Sequence, residues 1–410
     1  MRPSTVEAYR AQVTLPSLES LPSRLAAGLA INAQPRVAVI ESIATGTPDH
    51  VIPQAEAAKL IASLPRLKEN GKRIEKIYQN TRIENRHLAV NLLSEEAVSP
   101  EQSAAPIQDR MQVFKEKAVP LAEQVVRQAL ANLGELSSDV TDSIGLIVFV
   151  SSTGFIAPGV DAEIIERLGL KRNIARVTVN FMGCAAAMNG LRVACDHVKA
   201  YPANRALLVC LELSSINAAF KDDLNDVIIH SIFGDGCAAV VVGSGYAAIA
   251  KDRGQIVIRD HFSYLIEGTQ DGITLGVNDT GITCQLSPQL PDYVEAGVRP
   301  VIEQYLTSQG LTQDSIGLWA VHPGGTRIIQ KVKSSLGLED SQVAISWEVL
   351  REYGNMLSVS ILFVLERMAH QRRQELSQGG AATTSATSVR GLGFSFSPGV
   401  GIEGILFEMA

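Results

Sequence analysis

Cysteine is scarce in this chain, and charge is thin. Five of its 410 residues are cysteines: Cys184, Cys195, Cys210, Cys237 and Cys284. The number is odd, the spacings are wide and no CxxC pair occurs, which argues against a disulfide framework or a cysteine-based zinc site. A reducing compartment fits this usage best. Charged residues make up only 19%, and their balance is acidic, with a formal net charge of −7. Such a chain lacks the basic footprint that phosphate backbones require, so nucleic acid is not an expected partner. The first residues lack the charged, apolar and small-residue order of a signal peptide. Their most apolar stretch, Leu25 to Ile31, is far too short to span a bilayer. The expectation is a cytoplasmic protein with no membrane span.

What is present is apolar surface. Hydrophobic residues reach 46%, enough for a large core in two or three domains or one large α/β body. Residues 1–34 mix Pro, Ser and Arg without a period and read as an extension. From Arg36 the pattern becomes α/β. A first strand is expected around Val37–Ile40, and a helix over Ala55–Leu64 that Pro65 ends. A basic segment follows through Lys72, Arg73 and Lys76, then a polar loop over 94–108 and a long helix over Met111–Leu133. The apolar runs Ile144–Val150, Arg176–Phe181, Ala206–Leu213 and Ala238–Gly243 suggest strands covered on both faces. The second half repeats the plan. Strand-like Ile256–Asp260 and Ile316–Val321 precede helix-like Thr326–Leu336 and Leu357–His370. Ser377–Ser388 reads as a surface loop, and Leu392–Phe396 with Ile402–Phe407 as paired strands.

Three segments carry chemistry. In RVTVNFMGCAAAMNGLRVACDHV, Val177, Val179 and Phe181 alternate as a strand, and Ala187, Leu191, Ala194 and Val198 then fall on one helical face. Cys184 therefore sits at a strand-to-helix turn. Unpaired N–H groups and the helix dipole favour a thiolate there, and Gly183, Ala185 and Ala186 leave room for a thioester. A buried, inert thiol is the ordinary fate of cysteine; that reading is kept for Cys195, Cys210 and Cys237, which lie within apolar runs. In IGLWAVHPGGTRII, His322 ends a strand over a Pro-Gly-Gly turn, well placed to contact a thioester oxygen. In REYGNMLSVSILFVLERM, Gly354 turns the chain and Asn355 opens a helix. Asparagine there is commonly only a cap. Beside a candidate Cys and His it becomes a credible amide donor to an oxyanion.

In this order and at these separations, the GC-small-small turn, HPGG and YGNM resemble the type III polyketide synthases, the chalcone synthase group. The resemblance runs from about Arg36 to the C-terminus. SIFGDGCAAVVVG is similar to the family's FGDG segment and puts Phe233 at the gatekeeper phenylalanine. SFSPGVGIE matches the family's GFGPG loop in Phe396, Pro398 and Gly399, with Ser395 and Ser397 in place of glycines. KRIEKIYQNTRIENRHL is similar to the coenzyme A-binding region. Arg73 and Lys76 stand at two phosphate-contacting positions, and Asn80 stands at a third, where the family often has lysine. Gly324 and Gly325 are the matching glycines of the HPGG turn on the coenzyme A side.

The resemblance implies a thiolase-type fold, with two similar βαβ-based halves over 35–245 and 246–410 in a five-layer αβαβα body. It implies iterative decarboxylative condensation of malonyl-CoA onto an acyl thioester, followed by cyclisation. Cys184 would be the nucleophile, His322 and Asn355 would be donors to thioester and enolate oxygens, and Phe233 would sit over the malonyl carboxylate. No metal and no cofactor beyond coenzyme A thioesters is implied; a homodimer is. Ser152, Thr153, Ser214, Asn217, Gly276, Cys284, Leu357, Phe396 and Pro398 would line the substrate pocket. Cys284 replaces a phenylalanine and Leu357 a serine of the plant enzymes. Those two exchanges point to an apolar tunnel for a medium- or long-chain fatty acyl starter, delivered by CoA or an acyl carrier protein. The product would be an alkylresorcinol or an alkylpyrone, since both closures use the residues named. An initiating β-ketoacyl synthase, which condenses once, is the alternative on the same triad. A non-catalytic scaffold would have no need of Cys, His and Asn together. Nothing resembles the local sequences of papain-like hydrolases.

Overall fold

The structure is a computed structural model that describes residues 35–134, 138–220, 223–378 and 388–409. The N-terminal extension, and the Ser377–Ser388 loop apart from its ends, lie outside the described residues. Thirteen strands follow in chain order: β1 (Val37–Gly46), β2 (His50–Pro53), β3 (Asn85–Leu88), β4 (Ile144–Ser151), β5 (Ala175–Asn180), β6 (Arg205–Leu213), β7 (Asp235–Gly245), β8 (Ile256–Leu265), β9 (Ile273–Asn278), β10 (Gly281–Leu286), β11 (Leu318–Val321), β12 (Val389–Ser397) and β13 (Gly401–Met409). Nine form one sheet in the order β11-β12-β13-β8-β1-β7-β6-β4-β5, and β9 with β10 and β2 with β3 form separate ribbons.

The two halves of this sheet mirror each other. From the centre outward, β1-β7-β6 and β8-β13-β12 are antiparallel, and each run ends in a parallel pair, β6 with β4 and β12 with β11. The seam between halves is short, because β1 pairs with β8 only at Ala38, Val39 and Ile40. Packing supplies what the seam lacks. Helices Ala186–Ala200 and Ser360–Gln378 share one core with inward-facing Val148, Val150, Val240, Ile258, Ala320 and Ile405, drawn from both halves. Neighbouring residues on the same strands face the other way. Ile147 and Phe149 meet helices Ile107–Ala131 and Val160–Arg167, while Trp319 and Val321 meet Leu290–Ser308 and Thr326–Leu336. The result is the five-layer thiolase-type body. It explains why these strands read as continuous apolar runs, since both faces are buried.

Two local expectations need correction. The strand β5 was expected to be covered on both faces, yet most of Ala175–Asn180 is exposed. It is the outermost strand, paired only with β4, so its alternating valines have no second layer above them. Asn355 does not open a helix. A 3-10 turn spans Leu357–Val359 and the helix begins at Ser360, because Leu357 adopts a positive φ of 45° that breaks the run. Among the described residues no helix is long and apolar enough to cross a membrane.

Candidate active site

Cys184 lies between β5 and helix Ala186–Ala200, in a 3-10 turn over Gly183–Ala185. The approach is tightly bent, with Phe181 at φ 57° and Gly183 at φ 56°. Ser152, one residue past β4, holds the turn by accepting from Gly183 N–H at 3.1 Å. His322 follows β11 directly, and its backbone N–H donates to Phe394 of β12 at 3.1 Å. Thus one parallel strand pair from each half delivers one of these side chains.

Asn355 arrives by a different device. The segments Ile232–Gly234 and Gly354–Met356 cross backbone to backbone and form an isolated bridge between Phe233 and Asn355. Gly234 N–H donates to Asn355 C=O at 3.0 Å, and Asn355 N–H donates to Ile232 C=O at 2.9 Å. The crossing is close enough to require glycine on both sides. A Cβ on Gly234 would meet the Tyr353 carbonyl at 2.2 Å, and one on Gly354, at φ 71°, would meet the Ile232 carbonyl at 2.7 Å. Arg86 braces the crossing from below, donating to the His230 carbonyl and, at 3.0 Å, to that of Phe233.

The amide of Asn355 is oriented by its neighbours. Its Oδ1 accepts from Leu357 N–H at 2.9 Å and its Nδ2 donates to the Gly324 carbonyl at 3.2 Å. That leaves Nδ2 3.8 Å from Cys184 Sγ. His322 is 1% exposed, and among the described residues neither ring nitrogen has a hydrogen-bond partner. Unpaired polar atoms are costly to bury, so this imidazole is set to receive a ligand group. Burial pushes the Cys184 thiol up to about 12, against the opposing pull of Asn355, and pushes His322 down to about 3. Desolvation opposes the helix-end stabilisation of a thiolate anticipated from sequence, and it disfavours the charged form of each group.

Cys184, His322 and Asn355 share one cavity of about 430 Å³ with Phe233, Leu275, Cys284, Gly324, Gly325, Leu357 and Phe396. A second cavity of about 290 Å³ adjoins it, walled by Ser152, Thr153, Ser214 and Asn217 and reaching Asp226 and Asn278. Phe233, Leu275, Cys284 and Leu357 belong to both walls. Ser214 and Asn217 lie in a 3-10 turn just beyond β6. Among the described residues the buried Ser214 hydroxyl has no partner. Asn217 is fully engaged, donating to the Thr153 carbonyl at 2.8 Å and accepting from Ile282 N–H at 3.1 Å. Gly276, in β9, and Pro398, which packs over Gly183, stand outside both linings. Arg73 and Lys76 are exposed on helix Gly71–Gln79, and neither enters the wall of the Cys184 cavity; Ile77 and Asn80 do. Cys195, Cys210 and Cys237 are buried in the core. Among the described residues no three His, Cys, Asp or Glu side chains come together as metal ligands.

One organising residue escaped the sequence reading. Glu212, fully buried near the end of β6, accepts from Ser152 N–H at 2.9 Å, Thr153 Oγ1 at 2.8 Å and Ser358 Oγ at 2.6 Å. It ties the β4 end, which supports the Cys184 turn, to the chain that follows Asn355. Burial raises its carboxyl to about 7 despite these donors. The available signal was an acid closing the apolar run Ala206–Leu213, a position where an unpaired charge is not tolerated.

The fold and this cavity define a class, the thiolase-type synthases. Comparison with known proteins makes the assignment specific. Residues 29–246 match the N-terminal domain model of chalcone and stilbene synthases, and residues 259–409 match its C-terminal domain model. The chain is 49% identical over 373 residues to the "alpha-pyrone synthesis polyketide synthase-like Pks18" of Mycobacterium tuberculosis, covering 91% of each chain. It is similar to the crystal structure of PKS-I from the brown alga Ectocarpus siliculosus, with TM-score 0.85 and 41% identity over 92% of this chain and all of that one. It is also similar to the C-terminal type III polyketide synthase domain of Steely1 from Dictyostelium, with TM-score 0.79 and 25% identity over 91% of this chain and 99% of that one. The chain belongs to the chalcone and stilbene synthase family and is a type III polyketide synthase.

The burial of Cys184 gives a test of its resting state. The enzyme should react slowly with iodoacetamide at pH 7, and its rate should climb with pH without a plateau below about pH 9, as expected for a thiol raised to about 12. Fast alkylation at pH 7 with a plateau near neutral pH would show that Cys184 rests as a thiolate.

Proposed function

We propose that this enzyme builds an alkylpyrone from a fatty acyl starter and malonyl-CoA, with Cys184, His322 and Asn355 as its catalytic residues. The observation that carries the reading is the convergence of these side chains on one largely apolar cavity, with the imidazole buried and unpaired.

In this reading His322 takes the thiol proton as Sγ attacks the starter thioester, and returns it to the departing coenzyme A thiolate. Both groups begin neutral, so charge develops only in the transition state, where preorganised dipoles count most. Malonyl-CoA then enters with its thioester oxygen toward His322 and Asn355 Nδ2. As carbon dioxide leaves, these donors hold the enolate oxygen, and Phe233 keeps the carboxylate in apolar surroundings that favour its loss. The enolate carbon attacks the Cys184 thioester, the thiolate departs, and the extended chain on coenzyme A reloads. After the last extension an enol oxygen of the chain attacks its own thioester carbonyl and expels the thiol, leaving a lactone. The identity to a relative named for alpha-pyrone synthesis supports lactone over resorcinol closure.

The starter tail would pass between Phe233, Leu275, Cys284 and Leu357 into the second cavity. Sequence alone suggested a uniformly apolar tunnel. The wall beyond Leu357 is instead mixed, with Ile229 and Ile282 beside Ser152, Thr153, Asn217 and Asp226. Each methylene buried at the apolar constriction contributes about 0.8 kcal/mol; one that reaches the polar end contributes little. A medium-chain acyl group fits this arrangement best. The unpaired edge of β5, largely exposed over Ala175–Asn180, supports a homodimer formed by strand pairing across a two-fold axis. The unpaired cysteines support a reducing, cytoplasmic setting.

Two measurements check these readings. In a starter series from acetyl- to palmitoyl-CoA plus coumaroyl-CoA, kcat/KM should rise to medium chain length and then level off, and products should carry the mass of a lactone that has kept its carboxyl carbon. A preference for coumaroyl, or no rise with length, overturns the tail assignment. Sedimentation should give a dimer at micromolar concentration that a proline within β5, at Val177, weakens. A monomeric wild type contradicts the edge-strand pairing.

A further inference from the structure

The wall of the catalytic cavity carries a single formal charge. Among its described lining residues Arg327 is the one lysine or arginine, and no aspartate or glutamate is present to balance it. Arg327 is exposed, at the second position of helix Thr326–Leu336. Among the described residues its guanidinium has no ion pair or hydrogen bond. The same lining includes Ile77, Asn80 and Thr81, at and just beyond the end of helix Gly71–Gln79. The two walls are fixed to each other, because Thr326 Oγ1 donates to the Thr81 carbonyl at 2.6 Å. Arg327 therefore sits on a defined rim.

An uncompensated cation at the mouth of an apolar cavity faces an anion. A malonyl thioester offers two kinds, its carboxylate and the phosphates of its carrier arm. The carboxylate has to reach Cys184 and Phe233, and Phe233 is buried at the inner end. The phosphates stay outside while the uncharged pantetheine arm threads inward past Gly324 and Gly325. Asn80, in the same lining, is a neutral amide, so the end of helix Gly71–Gln79 adds no cation to the wall. We propose that Arg327 is the phosphate anchor of the phosphopantetheine thioester, supplying from the second half of the chain the charge that Asn80 does not. The assignment rests on the proposed use of malonyl thioesters, and it adds a residue outside the basic segment that carries Arg73 and Lys76. A guanidinium suits the task because it can grip phosphate oxygens with two parallel hydrogen bonds.

The test compares thioesters with and without phosphate. For Arg327→Ala, KM for malonyl-CoA should rise about tenfold or more with little change in kcat, the size expected for a lost charge-assisted contact. The loss in kcat/KM should be at least about fivefold smaller for the malonyl N-acetylcysteamine thioester, which has no phosphate. Arg327→Lys should recover part of the malonyl-CoA affinity. A malonyl-loaded carrier protein run in parallel identifies the source. A loss with both donors assigns the contact to the shared pantetheine phosphate, and a loss with malonyl-CoA alone assigns it to the nucleotide phosphates. Either pattern supports the anchor. Equal losses on phosphate-bearing and phosphate-free thioesters, or an unchanged KM for malonyl-CoA, overturn it. If the wild type turns over no malonyl thioester, the functional reading has failed. The anchor then stands or falls on calorimetric titration with coenzyme A itself, where Arg327→Ala should weaken Kd by the same factor and an unchanged Kd refutes it.

Discussion

Two backbone hydrogen bonds hold the site together, those exchanged where Ile232–Gly234 crosses Gly354–Met356. They bring the element carrying Phe233, from the first half of the chain, against the element carrying Asn355, from the second. The β1–β8 seam is three residue pairs long. The crossing fixes Asn355 against the Phe233 segment, and the Glu212–Ser358 bond ties the chain after Asn355 to the β4 end that supports the Cys184 turn. The glycines at 234 and 354 are needed because two main chains can approach this closely only where no Cβ intervenes. Arg86, itself buried, donates to the Phe233 carbonyl within the crossing and to the His230 carbonyl just before it.

Around that crossing the cavity wall is largely apolar, and burial there sets the chemistry. Burial drives Cys184 toward thiol and His322 toward neutral imidazole. Burial thus disfavours resting charge where carbon–carbon bond formation is proposed to occur. The one charged side chain in the cavity's described lining is Arg327, at the rim. This arrangement suits a reaction whose intermediates are enolates and tetrahedral oxyanions. A neutral donor aimed at a developing charge needs no counter-ion to be displaced before it acts.

Much of this was legible in the sequence, and the reasons are physical. Strands buried on both faces leave unbroken apolar runs, so β4, β6 and β7 were visible. Abrupt changes of period at Cys184 and at His322 marked strand ends where side chains emerge. The errors fall where a residue's environment is supplied by distant chain. The exposure of β5 depends on its being last in the sheet order, which no local pattern encodes. Asn355 looked like a helix cap because the strand-like partner that diverts it, Phe233, lies more than a hundred residues away. The polar character of the second cavity comes from Asp226, Asn278 and Asn217 together; none of the three is unusual alone. Arg73 and Lys76 drew attention as a basic cluster, whereas Arg327 is a single charge whose isolation appears only in three dimensions.

The central claim is that Cys184 carries the acyl chain. The most direct measurement is intact-protein and peptide mass spectrometry after brief incubation of the enzyme with dodecanoyl-CoA and no malonyl donor. The account predicts one dodecanoyl adduct per chain, located on the peptide containing Cys184, absent from the Cys184→Ala enzyme and discharged when malonyl-CoA is added. An adduct on Cys284 instead, or a Cys184→Ala enzyme that still acylates and makes product, would contradict it.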